Sequence, residues 1–428
     1  MLKALAAWTA LSCCVAFTVP VNASEQRPAT LTLDQAFSLT LDQHPDLKRL
    51  PLRQAALAAE ADIAAQAPPL MAGVELENAL GSGAYRGADG AELSLTLGSV
   101  LERPEKRNAR IELARSRLAG LDVDAEARRL DLLAEVARRY LDALASQVEL
   151  DALGASVVQR RAAASAAARR VSAGASPQSV KLGADAALAR AELELERARE
   201  SGQAARRRLA LLWGEADSQF DAVAGDMMAL PDVPDFAALA AMIERTPELR
   251  RFADETRIRE ARLQLAQSQS RFDLQWQVGL RRLQESDDWA LMGGVSIPLG
   301  SRSRAQPAIR AAQAELSELS LDREVGQLSL KATLAEAHGR LRVDALTVDR
   351  YGDSVLPALE RAEGAAGQAY RAGALSYLEW SQLQAELLSA RRDRIAAARD
   401  FHRALIEIQR LTAEPFVLAN GAQTEPTP

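Results

Sequence analysis

Leu274-Gln275-Trp276-Gln277-Val278-Gly279-Leu280-Arg281 sets an apolar side chain at every second position. The same period returns at once in Trp289, Leu291, Gly293, Val295, Ile297 and Leu299. A period of two belongs to a strand with one apolar and one polar face. Upstream, Val74-Glu75-Leu76-Glu77 and Glu92-Leu93-Ser94-Leu95-Thr96-Leu97 alternate in the same way, across a loop holding Gly81, Gly83, Gly87 and Asp89-Gly90. These runs predict strands over about residues 73–80, 91–100, 273–283 and 289–299. Such lengths suit a transmembrane β-barrel, and an ordinary half-buried antiparallel sheet alternates too. Four strands cannot close a cylinder alone, and lipid does not tolerate an open sheet edge. In a membrane, several copies must therefore share one barrel. Three chains of four strands make a twelve-stranded barrel with a lumen.

Around the strands the chain says the same thing twice. Leu41-Asp42-Gln43-His44-Pro45-Asp46-Leu47-Lys48 is echoed 202 residues later by Ile243-Glu244-Arg245-Thr246-Pro247-Glu248-Leu249-Arg250. Val171-Ser172-Ala173-Gly174-Ala175 is echoed 199 residues later by Tyr370-Arg371-Ala372-Gly373-Ala374. The reading is a first repeat over 24–213, a joint over 214–235, a second repeat over 236–413 and a disordered tail over 414–428. Each repeat runs through short helices, two strands, a very long helix (105–173 and 305–372), a tight break and a further helix (177–213 and 376–412). Leu133, Ala137, Tyr140, Leu144 and Val148 recur at helical steps, as do Leu330, Leu334, Ala337, Leu341, Ala345 and Val348. A helix of that size reaches about 100 Å, far more than the core of one globule requires. The shorter helices, near 45–67 and 178–213, together match it and could stack end to end beside it, with runs of alanine permitting close approach. Pro357 should kink the second long helix or mark a local irregularity in it. The fold class is mainly α with a small β part: a duplicated unit with long coiled-coil helices and four strands. A soluble coiled-coil scaffold is the alternative that the strands count against.

Composition narrows the chemistry. Of 428 residues, 48% are apolar but only 4% aromatic, so alanine and leucine dominate and long helices are favoured. A net charge of −6 argues against nucleic acid as the partner. Both cysteines, Cys13 and Cys14, lie in the first twenty residues, and His44, His338 and His402 are scattered. That leaves no material for a zinc site, a disulfide framework or a cysteine nucleophile. There is no Gly-x-Ser-x-Gly, phosphate loop or His-Glu-x-x-His, and pairs such as Glu192 and Glu196 read as a solvated helix face. No enzyme, catalytic residue, metal site or cofactor is expected. Residues 1–23, with Lys3, an apolar run and small residues up to Ala23, read as a secretory signal peptide. The destination is the periplasm or outer membrane of a Gram-negative bacterium.

Together these residues resemble the TolC family of outer-membrane efflux factors. The resemblance is carried by the duplicated layout, His44-Pro45-Asp46-Leu47, Thr246-Pro247-Glu248-Leu249, Ser296-Ile297-Pro298-Leu299-Gly300 and Tyr370-Arg371-Ala372-Gly373-Ala374-Leu375-Ser376-Tyr377-Leu378-Glu379. It implies a homotrimer with a twelve-stranded barrel in outer-membrane lipid and a long α-barrel across the periplasm. The implied partners are a periplasmic adaptor protein and an inner-membrane RND pump. It also implies that the adaptor docks at two hairpin tips, Gly174-Ala175-Ser176 and Gly373-Ala374-Leu375, where glycine suits a reversing helix. Glu379 and Gln382 would face the pore constriction; for Glu379 an exposed helix-face charge is the competing reading. The wording Gly-Ala-Leu-Ser-Tyr-Leu-Glu is most similar to the CzcC-like heavy-metal branch, with cobalt, zinc, cadmium, nickel, copper or silver as cargo. Multidrug efflux and type I secretion are the alternatives. A duct needs no tight metal site, because conduction requires ligands weak enough to leave.

Overall fold

A computed structural model describes residues 30–417. The expected signal peptide and residues 418–428 of the tail lie outside the described residues. In chain order the elements are β1 (Thr30–Leu31), α1 (Leu33–Gln43), α2 (Pro45–Ala65), β2 (Met71–Glu77), β3 (Glu92–Leu101), α3 (Pro104–Ala119), α4 (Leu121–Ser172), α5 (Gln178–Ala210), β4 (Ala222–Val223), α6 (Phe236–Ile243), α7 (Pro247–Ser268), β5 (Leu274–Leu283), β6 (Asp288–Ser296), α8 (Ser301–Arg350), α9 (Leu356–Ala372) and α10 (Tyr377–Thr412).

Thr32 and Gln35 form a reciprocal capping box on α1. Pro45 and Pro247 open α2 and α7, where their missing N–H costs nothing. The first long helix departs from an unbroken rod, and the second is irregular near Pro357 as expected. The first is interrupted at Gly120, where a residue of low helix propensity precedes Asp122 and Asp124, which suit a fresh N-terminus. The second passes through one π-helical turn, Tyr351–Val355, between α8 and α9. Pro357 explains its place: the ring cannot donate an N–H and crowds the carbonyl four residues back, at Asp353. The strand expected over 73–80 instead covers Met71–Glu77, and Asn78 and Leu80 beyond it adopt positive φ.

The helices form a layer. α2 and α5 both pack on the α3–α4 rod, so they lie one after the other along it, and α7 and α10 do the same along α8 and α9. α3 meets α7 and α4 meets α10, joining the two repeats. The order across the layer is therefore α2, α3, α7, α8 at one level and α5, α4, α10, α8 at the next. Its outer edges carry exposed apolar side chains: Leu52, Ile63 and Leu182 on one side, Leu321, Val325 and Leu328 on the other.

At mid-height β1 pairs in parallel with β4, which lies in the joint. Gln147 clasps β4 like a strand neighbour, accepting from Val223 N–H at 2.6 Å and donating to its carbonyl at 3.1 Å. The Tyr140 hydroxyl lies 2.9 Å from the Leu31 carbonyl and 2.6 Å from that of Ala224, and burial pushes the phenol far above its ordinary range. The largest apolar cluster gathers here, around Tyr140, Leu141, Leu209, Trp213 and Ile406. Phe416, in the segment expected to be disordered, packs on it with its ring 6.0 Å from that of Phe37; an aromatic residue with a ready apolar partner does not stay in solvent.

Candidate functional site

The four longer strands form one antiparallel sheet in the order β2-β3-β5-β6. Its register pairs Val74 with Leu95, Leu95 with Leu280 and Leu280 with Leu291. Leu76, Leu97, Val278, Trp289 and Val295 fall on the same face and are exposed, Leu291 by 83%. Among the described residues, no second layer covers this face. The opposite face is polar and small. Gly98 and Gly279 stand there because a Cβ would come within 2.8 Å of the Trp276 carbonyl and 2.6 Å of the Leu95 carbonyl. Glu77 and Glu92, directly opposite each other, are bridged by Arg281 at 2.9 and 2.6 Å. β2 and β6 leave both sheet edges unpaired. Among the described residues, no helix is long and apolar enough to cross a membrane.

At the far end of the helices lie the two hairpin tips. Gly174 ends α4 with φ of 70°, and the Ala175 N–H reaches back to the Arg170 carbonyl at 2.8 Å. Gly373 ends α9 with φ of 85°, and the Ala374 N–H reaches the Ala369 carbonyl at 2.9 Å. Both are six-to-one closures that place glycine in the left-handed position. Gly174, Ala175, Gly373 and Ala374 are exposed, while Ser176 and Leu375 are half-buried.

One side chain, overlooked in the sequence, ties the tips together. Arg170 donates through Nε to Ser176 Oγ at 3.2 Å, through Nη2 to the Ala175 carbonyl at 3.3 Å and through Nη1 to the Tyr370 carbonyl at 2.6 Å. Its guanidinium carbon stands 5.0 Å from the Tyr370 ring centroid, within cation–π reach. Tyr370 and Trp380 are buried with ring centroids 5.2 Å apart, and Trp380 Nε1 donates to Glu363 at 2.9 Å. The small residues Ala163, Ala166 and Ala366 complete this cluster. The signal was present in the echoed segments. Arg170 and Val171 stand where the second repeat has Ala369 and Tyr370, so the repeats exchange complementary residues.

Glu379 and Gln382 lie on the first turns of α10, both exposed. Glu379 Oε2 accepts from the Ser376 backbone N–H at 3.0 Å and from its hydroxyl at 2.7 Å, and the Ser376 Oγ accepts from the Glu379 N–H. This capping box holds the Glu379 carboxyl below its usual pKa. Gln382 lines an open groove with Ala365, Ala369, Leu375 and Glu386. The tips and these two residues thus share one end of the molecule. Among the described residues, no three His, Cys, Asp or Glu come together as a metal-ion cage.

A family model described as outer membrane efflux protein matches residues 36–215. Over those residues the chain is similar to outer membrane efflux proteins. The cobalt-zinc-cadmium resistance protein CzcC of Cupriavidus metallidurans is 32% identical over 203 residues, 47% of this chain and 49% of CzcC. The chain therefore spans about half the length of that curated relative. Solved structures match more widely. CusC, described in terms of folding and transmembrane channel formation, superposes with a TM-score of 0.74 at 15% identity, covering 90% of this chain and 92% of its own. A membrane protein from Pseudomonas aeruginosa gives 0.74 at 18% identity, covering 90% of both chains. This fold, mostly helical with a few strands, is the one that these solved structures share.

Proposed function

We propose that the protein is the exit duct of a tripartite efflux system: a passive homotrimer that receives cargo from an inner-membrane RND pump through a periplasmic adaptor. One observation carries the reading. An uncovered apolar sheet face sits on a four-stranded sheet with two open edges, and lipid accepts such a sheet only when other copies close it. The exposed apolar edges of the helix layer support the same closure further down. Heavy-metal cations are the proposed cargo, supported by the similarity to a cobalt-zinc-cadmium resistance protein. The tips around Gly174 and Gly373 are the proposed adaptor-docking surface, and Glu379 and Gln382, beside them, the proposed mouth of the pore. Deleting the gene and measuring tolerance to cobalt, zinc, cadmium, copper and several drugs tests the cargo. Metal sensitivity is expected; drug sensitivity with unchanged metal tolerance would move the protein to multidrug efflux.

A further inference from the structure

The apolar face of the sheet carries a single charge. Of the strand positions that share a face with Leu280, from Ala72 on β2 to Val295 on β6, Arg282 alone is ionised. Its row runs Leu76, Leu93, Arg282, Trp289, and lies next to the connections 78–91 and 284–287. The helices join the sheet at its other end, through 66–70, 102–103, 269–273 and 297–300. From Leu274, the first apolar position of β5, Arg282 is eight residues away. That is about 26 Å along the strand, or about 20 Å of height at a tilt near 40°. Arg282 therefore stands at the far border of an apolar band, where the exposed indole of Trp289 marks the level of headgroups rather than acyl chains.

The Arg282 side chain is only partly engaged. Nη2 donates at 2.7 Å to Asp287, whose own side chain is 77% exposed. The guanidinium carbon lies 6.0 Å from the Trp289 ring centroid, at the limit of cation–π reach. Nε has no partner, and Nη1 makes no hydrogen bond among the described residues. A guanidinium carries five N–H donors in a planar fork, so most of this one is unused. The arginine at the opposite border differs. Arg103 lies 5.0 Å from the Phe272 ring centroid, but its Nε donates to the Phe272 carbonyl at 3.1 Å and its backbone N–H to Asp273 at 3.3 Å. That cation is tied to the chain itself.

We propose that Arg282 binds the phosphate of a phosphorylated glycolipid in the external leaflet of the membrane. This rests on the duct reading, in which the helices run into the periplasm and the connections 78–91 and 284–287 face outward. Two features favour this ligand. A phosphate accepts two parallel N–H···O bonds from one guanidinium, and the free edge of Arg282 offers them. Trp289, 63% exposed beside it, presents a flat apolar surface to the ring carbons of a sugar, which a glycerol headgroup lacks. Asp287 is a competitor rather than a helper: it holds one arm of the fork and repels an incoming phosphate. In a trimer the site recurs three times around the outer rim of the barrel.

The test places the full chain in phosphatidylcholine vesicles and titrates in three probes: lipopolysaccharide, the same lipopolysaccharide with its phosphates removed, and phosphatidylglycerol. Lipid bound per trimer is counted by mass spectrometry after mild detergent release. Intact lipopolysaccharide is expected to bind at least about tenfold more tightly than the dephosphorylated form, as a charge-assisted pair allows. Arg282→Gln should abolish that preference. Asp287→Asn, which frees the fork, should tighten phosphate binding by about threefold. Arg86→Gln removes the same charge from the exposed loop at the same end and should change nothing. A preference kept in Arg282→Gln, or lost equally in Arg86→Gln, would overturn the proposal. Phosphatidylglycerol binding as tightly as lipopolysaccharide would overturn the choice of a glycolipid. If Arg282→Gln does not assemble, Asp287→Asn decides alone, and no gain there rejects the site. Trimers that enter the vesicles without a phosphate preference reject the site only, whereas a parent chain that stays out of lipid rejects the duct reading beneath it.

Discussion

Arg170 in the last turn of the first long helix donates to the main-chain carbonyl of Tyr370 in the second, at 2.6 Å, and lies over the same residue's ring. A charge-assisted bond to a carbonyl contributes about 1.5–3 kcal/mol when well placed, and this guanidinium also satisfies two acceptors of its own turn. Arg170→Ala should therefore loosen both tips together. Amide exchange at residues 370–376 is expected to rise about tenfold or more, with little change in global melting. Arg170→Lys should not rescue it, because one ammonium cannot span three acceptors and stack on a ring. Exchange confined to residues 173–176 would show that the tie between tips is not real.

The tip glycines test docking apart from folding. Their surroundings are open: a Cβ on Gly174 meets nothing within 4 Å, and one on Gly373 meets only the Arg170 guanidinium, at 3.5 Å. Gly174→Trp with Gly373→Trp therefore places bulk where a partner would approach, at a cost of about 1–2 kcal/mol at each left-handed position. Trimers in the membrane fraction with export abolished is the expected result. Normal export would remove the tips as the docking surface.

On the sheet, Leu280 and Gln277 face opposite ways because they are three positions apart in a strand of period two. If the apolar face meets lipid, Leu280→Arg puts a charge in hydrocarbon and should cost about 2–4 kcal/mol near the bilayer midplane. Gln277→Arg on the polar face should cost far less. Heat-modified migration of the membrane fraction reads the difference. Equal tolerance of both substitutions would contradict a lipid-facing assignment.

Strand alternation and the repeated segments made the architecture legible, because periodicity is a property of consecutive residues. Leu274 to Leu280 announce their face without any knowledge of neighbours. Breaks and ties were not legible in the same way. Gly120 is one of many glycines, and its role emerges only where Asp254 packs beside it, 3.6 Å from where a Cβ would stand. Pro357 did flag an irregularity, yet whether it would be a kink or a π-helical turn depended on Arg394 and Asp393 from a helix forty residues away. Arg170 drew no notice, since its acceptor lies 200 residues on. Glu379 read as a pore residue or an exposed helix-face charge, although its capping box with Ser376 requires only local sequence.

His402 gives the fold a pH dependence that can be isolated. Its ring is buried at mid-height, with Nε2 donating to the Met227 carbonyl at 3.0 Å. Burial lowers its pKa below the ordinary 6.5, outweighing that bond and the Asp226 charge. The folded chain thus resists taking the proton that the unfolded chain accepts. Between the unfolded pKa and the depressed folded one, the unfolded state binds more protons, so stability falls as pH drops through that window. Above about pH 7 both states are neutral and the contribution is flat. Melting followed at pH 7.5 and pH 5.5 should show a drop for the parent chain that is smaller in His402→Gln, whose amide keeps a donor for Met227 without titrating. An identical drop in both would assign the acid sensitivity to carboxylates whose folded pKa is held down, such as Glu379 in its capping box with Ser376.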